Sequence, residues 1–369
     1  MNDLRTGLSY GDVLLVPQRS PVDSRSDVDL STRLTPNVEL KTPLVSAAMD
    51  TVTEADLAVE LSRAGGIGVL HRFLTVDEQA AQVEDVAAAG ERVAAAVGIN
   101  EDYVARSAAL VAATWTRSSS TWRTATSNGR SGRSRTIAEE FPETDLVAGN
   151  VATPAGVEDL AAAGADCVKV GIGPGSHCTT RKVAGAGVPQ LTAVDDCATA
   201  AEDLDVTICA DGGIRTSGDA AKALMAGADT VMLGSLFAGT AEAPGAVVEV
   251  EGTRYKRSRG MATTAAAEDR DDKGTDVVAD EGVEALTPYK GPVATVTEEF
   301  CQGIRSGLSY CGGHTIERAR DRAEFVRVAP GAKEREGFHT DDDWEGISVD
   351  SETERVADST GGSAAESDD

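Results

Sequence analysis

Cys178 lies in the run Val170-Gly171-Ile172-Gly173-Pro174-Gly175-Ser176-His177-Cys178-Thr179-Thr180-Arg181. An apolar segment, Cys167 to Ile172, precedes it and reads as a buried parallel strand. The thiol therefore follows a strand's C-terminal end. Glycines on the loop let backbone approach a ligand or an ion without interference from Cβ atoms. Two hydroxyl residues and an arginine follow, which is the setting of a nucleophile with helpers. An arbitrary cysteine is more often a buried structural thiol, but the flanking residues turn the reading toward chemistry here.

Two further turns carry polar groups of the same kind. Ala210-Asp211-Gly212-Gly213-Ile214-Arg215 offers an acid able to hold ribose hydroxyls, then glycine N–H groups able to meet a phosphate. Leu233-Gly234-Ser235 offers a second such arm. Either turn alone is a weak signal; together, on consecutive strands, they point to a phosphorylated ligand. No GxGxxG follows any strand, so a dinucleotide would bind without a Rossmann half.

These residues need strand ends to hold them. Pro43 to Ser46, Gly66 to Leu70, Val93 to Ile99, Leu146 to Asn150, Cys167 to Ile172, Val206 to Ala210 and Thr230 to Leu233 are short β-rich runs. Helical stretches such as Asp56 to Ala64 and Gly218 to Ala226 alternate with them. That alternation implies an α/β fold with a parallel sheet, and eight repeats close a (β/α)8 TIM barrel, which carries its chemistry at the C-terminal strand ends. Seven strands are legible. The eighth belongs between Ile99 and Leu146, at about residues 113–128, where the sequence changes character.

From Tyr103 to Ala138 there is no acid but there are six arginines, and Trp115 and Trp122 both fall here. At face value this is a basic, serine-rich insert of the kind that binds RNA. A frame error explains more. Read through GC-rich codons in a shifted frame, Thr114 to Gly129 becomes Val-Asp-Ala-Leu-Val-Val-Asp-Val-Ala-His-Gly-His-Leu-Glu-Arg, an apolar strand ending in an aspartate, with the frame restored before Thr136.

The remaining chain bounds the class. Sixty-one acids oppose 34 bases, for a net charge of −27, and only eight of the bases are lysine. That balance suits a halophilic protein kept soluble in concentrated salt and argues against nucleic acid as a partner. No apolar stretch is long enough to span a membrane, and the N-terminus lacks a basic-then-apolar signal, so the chain reads as cytoplasmic. Its six cysteines show no CxxC or metal spacing and read as thiols. Arg254 to Glu284 is polar and glycine-bearing, the character of a mobile flap. Val293 to Ser309 reads as a helix. One catalytic domain is expected over residues 1–335, followed by an acidic, disordered tail over 336–369.

Five runs carry a family resemblance: LSYGDVLLVPQRS, PLVSAAMDTVTEADLAVELSRAGGIGVLH, VKVGIGPGSHCTTRKVAGAGVPQLTAV, ADGGIRTSGDAAKALMAGADTVMLGSLFAGTAEAPG and PYKGPV. In them the chain resembles the inosine-monophosphate dehydrogenase and guanosine-monophosphate reductase family, whose fold is the barrel inferred above. The resemblance makes Cys178 the nucleophile that attacks C2 of the purine, with hydride passing between C2 and a nicotinamide cofactor, NADPH or NAD. Thr180 and Glu281 match the pair that handles protons. Asp211 matches the ribose ligand, and Gly213, Gly234 and Ser235 match the phosphate cradle. Met49, Gly260 and Met261 match residues packed near the base. Carbonyls of Gly173, Gly175 and Cys178 match the loop that holds potassium or another monovalent cation. Arg72 stands where reductases carry a lysine at the cofactor. A homotetramer acting on GMP or IMP is what the family implies. The aspartate expected to contact the nicotinamide ribose belongs at the end of the missing strand.

The flap bears on direction. Dehydrogenases hydrolyse the cysteine adduct with water activated by an arginine-tyrosine pair. Here Asp271 follows Arg270, and no tyrosine lies between Tyr255 and Tyr289. Gln82 to Val93 runs straight into the third strand, without the regulatory paired domain common in dehydrogenases. Both features favour GMP reductase. GGIR, GSLFAGTAEAPG and the run Glu334 to His339 read closer to IMP dehydrogenase, which is the alternative. A protein that binds IMP or GMP without turnover is the third reading.

Overall fold

Val-Ala-Ala-Ala-Val at 93–97 and Cys-Val-Lys-Val at 167–170 are buried at every position, as strands covered on both faces must be. A computed structural model of the chain describes residues 4–98, 102–115, 123–128, 131–176, 178–259 and 284–332. Eight parallel strands form its central sheet: β1 (Leu44–Ser46), β2 (Val69–Leu70), β3 (Val93–Val97), β4 (Arg123–Asn128), β5 (Asp145–Val151), β6 (Cys167–Val170), β7 (Thr207–Asp211) and β8 (Thr230–Leu233). From β2 to β8 each strand pairs with the next in sequence, and β1 pairs with β8. The parallel bridge Val45–Ile67 joins the two ends, so the sheet closes into a barrel.

The strands alternate between two apolar layers. Val45, Val69, Ala94, Ala96, Val147, Cys167, Cys209 and Met232 form one cluster with Leu34, Val38 and Leu40. Those last three belong to the antiparallel hairpin Thr32–Thr35/Val38–Leu40. Thr35 Oγ1 and Asn37 Nδ2 donate to Asp145 at the start of β5, and Thr32 Oγ1 donates to the Asp229 carbonyl before β8. The hairpin therefore plugs the N-terminal mouth and leaves the other for the site. The second layer, with Leu44, Val93, Leu146, Val168, Ile208 and Val231, packs outward. Helices α1 (Ala55–Arg63), α2 (Val76–Ala88), α3 (Tyr103–Trp115), α4 (Ser131–Glu140), α5 (Pro154–Ala161), α6 (Gln190–Ala201), α7 (Ser217–Met225) and α8 (Val293–Cys311) follow the strands in turn. Capping boxes start two of them: Thr75 with Glu78 on α2, and Thr216 with Asp219 on α7.

One expectation needs correction. The strand read as missing is present: β4 lies between β3 and β5, parallel to both. A β-ladder is made of main-chain N–H and C=O groups, which Arg-Thr-Ala-Thr-Ser-Asn supplies as well as valine would. Only the second part of residues 113–128 forms it, because α3 continues to Trp115. At the two ends of the flap, Thr253–Arg259 pairs antiparallel with both Val247–Val250 and Glu284–Pro288. The hairpin of residues 32–40 had no counterpart in the sequence reading.

Contacts divide the chain into two compact units, Met1–Val326 and Arg327–Asp369. The acidic tail of 336–369 lies outside the described residues. Among the described residues no helix is long and apolar enough to cross a membrane.

Candidate active site

After β6 the backbone must leave the sheet over its neighbour, and Gly171 makes this possible. A Cβ on Gly171 would lie 2.1 Å from the Asp211 carbonyl oxygen at the end of β7. The obstacle is backbone and cannot swing away. Gly171→Ala should therefore cost about 3 kcal/mol through forced displacement of the two strand ends. Denaturant unfolding that matches the native chain would disprove this packing. Gln190, at the start of α6, ties the same ends together: its Nε2 donates to the carbonyls of Val170 (2.7 Å) and Asp211 (3.2 Å).

The loop then carries Cys178 back over the barrel mouth. Cys178 N–H donates to Gly175 O at 3.1 Å, and its Sγ lies 3.1 Å from Thr180 Oγ1. Thr180 begins the short helix Thr180–Val183. The Arg181 guanidinium is held by loop carbonyls: Nε donates to Ile172 O (3.3 Å) and an Nη to Val188 O (2.6 Å). Its task is to clamp the loop, a correction to its reading as a helper of the nucleophile. The reason is geometric, since the loop doubles back and leaves these two carbonyls in need of donors.

Cys178 is half-buried, whereas the other five thiols are buried. Burial pushes Cys197, Cys209 and Cys301 up to about 12, and raises Cys167 and Cys311 as well. Thiolate is the reactive form, so buried thiols with raised pKa are inert near neutral pH. Iodoacetamide on the folded protein should accordingly give a single adduct, at Cys178, by peptide mass mapping. A second adduct before unfolding would contradict the assignment.

The other predicted residues converge on this mouth. Asp211 ends β7, and Gly212 and Gly213 follow with φ of 92° and 78°. A Cβ on Gly212 would meet Pro174 Cγ at 2.9 Å and Gly175 N at 3.1 Å, so the Asp211 turn abuts the Cys178 loop. Gly234 precedes the short helix Ser235–Ala238 and sits against Met49, whose Sδ would be 3.3 Å from a Cβ there. Lys290 Nζ donates to the carbonyls of Ser235 and Leu236, each at 3.2 Å. Arg72 follows β2, with its guanidinium 5.3 Å from the centre of the Phe73 ring. Gly173 and Gly175 lie within the cysteine loop, where Gly175 O accepts the Cys178 N–H. Glu281, Gly260 and Met261 lie outside the described residues. Among the described residues no cluster of three or more His, Cys, Asp or Glu is arranged to hold a metal ion.

Sequence reasoning missed Lys169 and Asn150. Lys169 is buried inside the barrel, and its Nζ donates to Asp211 Oδ2 at 2.8 Å and to Asn150 Oδ1. Asn150 Nδ2 donates to the same Asp211 oxygen at 2.8 Å and to Gly171 O at 2.8 Å. A charge inside Cys-Val-Lys-Val was the available signal, because buried charges require partners. The pair Asp50–Arg259 was also missed: Arg259 Nε donates to Asp50 Oδ2 at 2.8 Å, and its backbone N–H to Thr51 Oγ1 at 3.2 Å. It joins the loop after β1 to the last described residue before Gly260.

Comparison with known proteins places this arrangement. The family model described as the IMP dehydrogenase / GMP reductase domain matches residues 7–339. An inosine-5'-monophosphate dehydrogenase of Nitrosopumilus maritimus is 36% identical over 89% of the chain and 97% of that protein. A GMP reductase of Leishmania donovani is 34% identical over 91% of the chain and 97% of that protein. These alignments run over 465 and 482 residues, more than the 369 of the chain, so both relatives carry internal residues that it lacks. Among solved structures, a cysteine-to-alanine variant of Trypanosoma brucei GMP reductase in complex with guanosine 5'-monophosphate matches with a TM-score of 0.85. It is 30% identical, covering 92% of the chain and 98% of that structure.

Proposed function

Since the chain belongs to the IMP dehydrogenase / GMP reductase family of purine nucleotide oxidoreductases, we propose that it is a GMP reductase, converting GMP to IMP and ammonia at the expense of NADPH. The observation that carries the chemistry is the half-buried Cys178 with its Sγ 3.1 Å from Thr180 Oγ1, beside the Asp211 turn. Cys178 Sγ adds to C2 of the purine, and the amine leaves as ammonia. Thr180 Oγ1 is placed to pass a proton at the sulfur and the departing group, with Glu281 as its partner in the family pattern. The nicotinamide, when bound, supplies the hydride that C2 needs before the C–S bond breaks and frees Cys178. Asp211 holds the ribose, Gly213, Gly234 and Ser235 take the phosphate through N–H and hydroxyl donors, and Met49 packs against the base.

Direction rests on the flap sequence. A dehydrogenase must activate water, and this chain has no tyrosine between Tyr255 and Tyr289 to join Arg270 in doing so. The dehydrogenase reading keeps specific support in Gly212-Gly213-Ile214-Arg215 and in the Nitrosopumilus relative. Arg72 is the candidate contact for the cofactor. The loop of Gly173, Gly175 and Cys178 fits a monovalent cation through backbone oxygens; Gly175 O takes one N–H and keeps a second lone pair for an ion. A halophilic, cytoplasmic homotetramer completes the proposal.

Reduced-nicotinamide absorbance in concentrated KCl tests it. Consumption of NADPH with GMP supports the reductase, and formation of NADH with IMP would transfer the assignment to the dehydrogenase. No turnover, with GMP or IMP still raising Tm, would leave a nucleotide-binding protein.

A further inference from the structure

Lys169 is only 7% exposed, on a strand whose interior neighbours are apolar. A buried ammonium is costly, and an apolar residue of similar volume is often the more stable choice. Its contacts show what the charge can do. Lys169 Nζ and Asn150 Nδ2 both donate to Asp211 Oδ2, each at 2.8 Å, and Lys169 also grips Asn150 Oδ1. Asn150 is anchored in turn on Gly171 O at 2.8 Å, next to the cysteine loop. Asp211 Oδ1 has no hydrogen-bond partner among the described residues, and the side chain is 24% exposed.

We propose that Lys169, with Asn150, is the positioning residue that turns Asp211 into an acceptor for the two hydroxyls of a ribose diol. This rests on the nucleotide reading above. Two donors on Oδ2 fix the plane of the carboxylate and leave Oδ1, with two lone pairs, as its open face. A vicinal diol presents two O–H donors side by side and matches that face. Lys169 reaches no substrate atom in this role; it acts through Asp211, and the Asn150–Gly171 bond ties the same array to the start of the Cys178 loop.

The test compares GMP with 2',3'-dideoxy-GMP by calorimetric binding and steady-state kinetics on the full chain. The native protein should prefer GMP about 100-fold, since each hydrogen bond to a charged group is worth roughly a factor of ten or more. Lys169→Met should reduce that preference to below about fivefold, raising the KM for GMP and leaving kcat at saturation within about threefold. Lys169→Arg, which keeps the charge, should recover most of the preference. Equal weakening of both nucleotides by Lys169→Met would overturn the proposal, because a purely structural residue would act that way. If Lys169→Met does not fold, Asn150→Ser removes one donor without stranding a buried charge. It should lower the preference on its own by about tenfold, and an unchanged preference overturns the proposal equally. A native protein that binds neither GMP nor IMP would sink the nucleotide reading itself, a result distinct from either variant outcome.

Discussion

Cys178→Ala should reduce turnover by roughly 10⁴-fold or more, the scale of losing a covalent nucleophile, while GMP or IMP still raises Tm as it does for the native protein. Cys178 is the half-buried thiol, and the other five are buried in apolar surroundings that hold them protonated, so no neighbour can take over. Truncation to alanine removes the sulfur without touching the groups assigned to ribose and phosphate, Asp211, Gly213, Gly234 and Ser235. Binding and chemistry should therefore separate. Thr180→Ala is the milder companion: it keeps the nucleophile but loses the hydroxyl 3.1 Å from Sγ, at a cost of about 10²-fold in kcat. Rates above about a hundredth of the native value for Cys178→Ala would exclude the covalent mechanism in either reaction direction.

What the sequence disclosed about this site follows from where its information is local. Seven barrel strands were legible because parallel strands buried on both faces read as unbroken apolar runs, as Val93–Val97 and Thr230–Leu233 do. The strand ends then located Cys178, Asp211 and Gly234 together, since all strands of such a barrel point the same way. Lys169 was passed over because an apolar run absorbs one charged member without losing its pattern. Its partner Asn150 is 19 positions away and on another strand, so only the register of β5 against β6 brings the two together. The role of Arg181 was equally illegible, because it depends on a loop that folds back to expose the carbonyls of Ile172 and Val188. The hairpin of residues 32–40 is two very short strands whose apolar members reach into the barrel. Strands of three or four residues offer too little periodicity to read.

Replacing Thr114 to Gly129 with the shifted-frame run Val-Asp-Ala-Leu-Val-Val-Asp-Val-Ala-His-Gly-His-Leu-Glu-Arg, in which Ala-Leu-Val-Val-Asp takes over as the fourth strand, should raise stability by about 5 kcal/mol and increase activity with a dinucleotide. β4 is a central strand with β3 and β5 on either side, in the part of the sheet where the adjacent strand is Val-Ala-Ala-Ala-Val. Its own sequence, Arg-Thr-Ala-Thr-Ser-Asn, contains no valine, leucine or isoleucine. The ladder gives its main-chain groups partners, but a net hydrogen bond contributes only about 1 kcal/mol, and a buried aliphatic side chain about 1.5–3. Three or four restored aliphatics are therefore worth several kcal/mol, a large part of the roughly 5–15 that holds a protein folded. The strand's C-terminal residue adds a chemical reason. β4 ends in Asn128, paired with Gly149, whereas the shifted-frame strand ends in the aspartate that the family pattern calls for. A carboxylate there could accept both hydroxyls of a nicotinamide ribose, whereas an amide is half donor. Calorimetry and the nicotinamide assay on both chains decide the matter. A restored chain with higher Tm and new or increased turnover would identify the present segment as a frame error in an enzyme. Equal Tm and equal turnover would show that the basic segment is the native fourth strand.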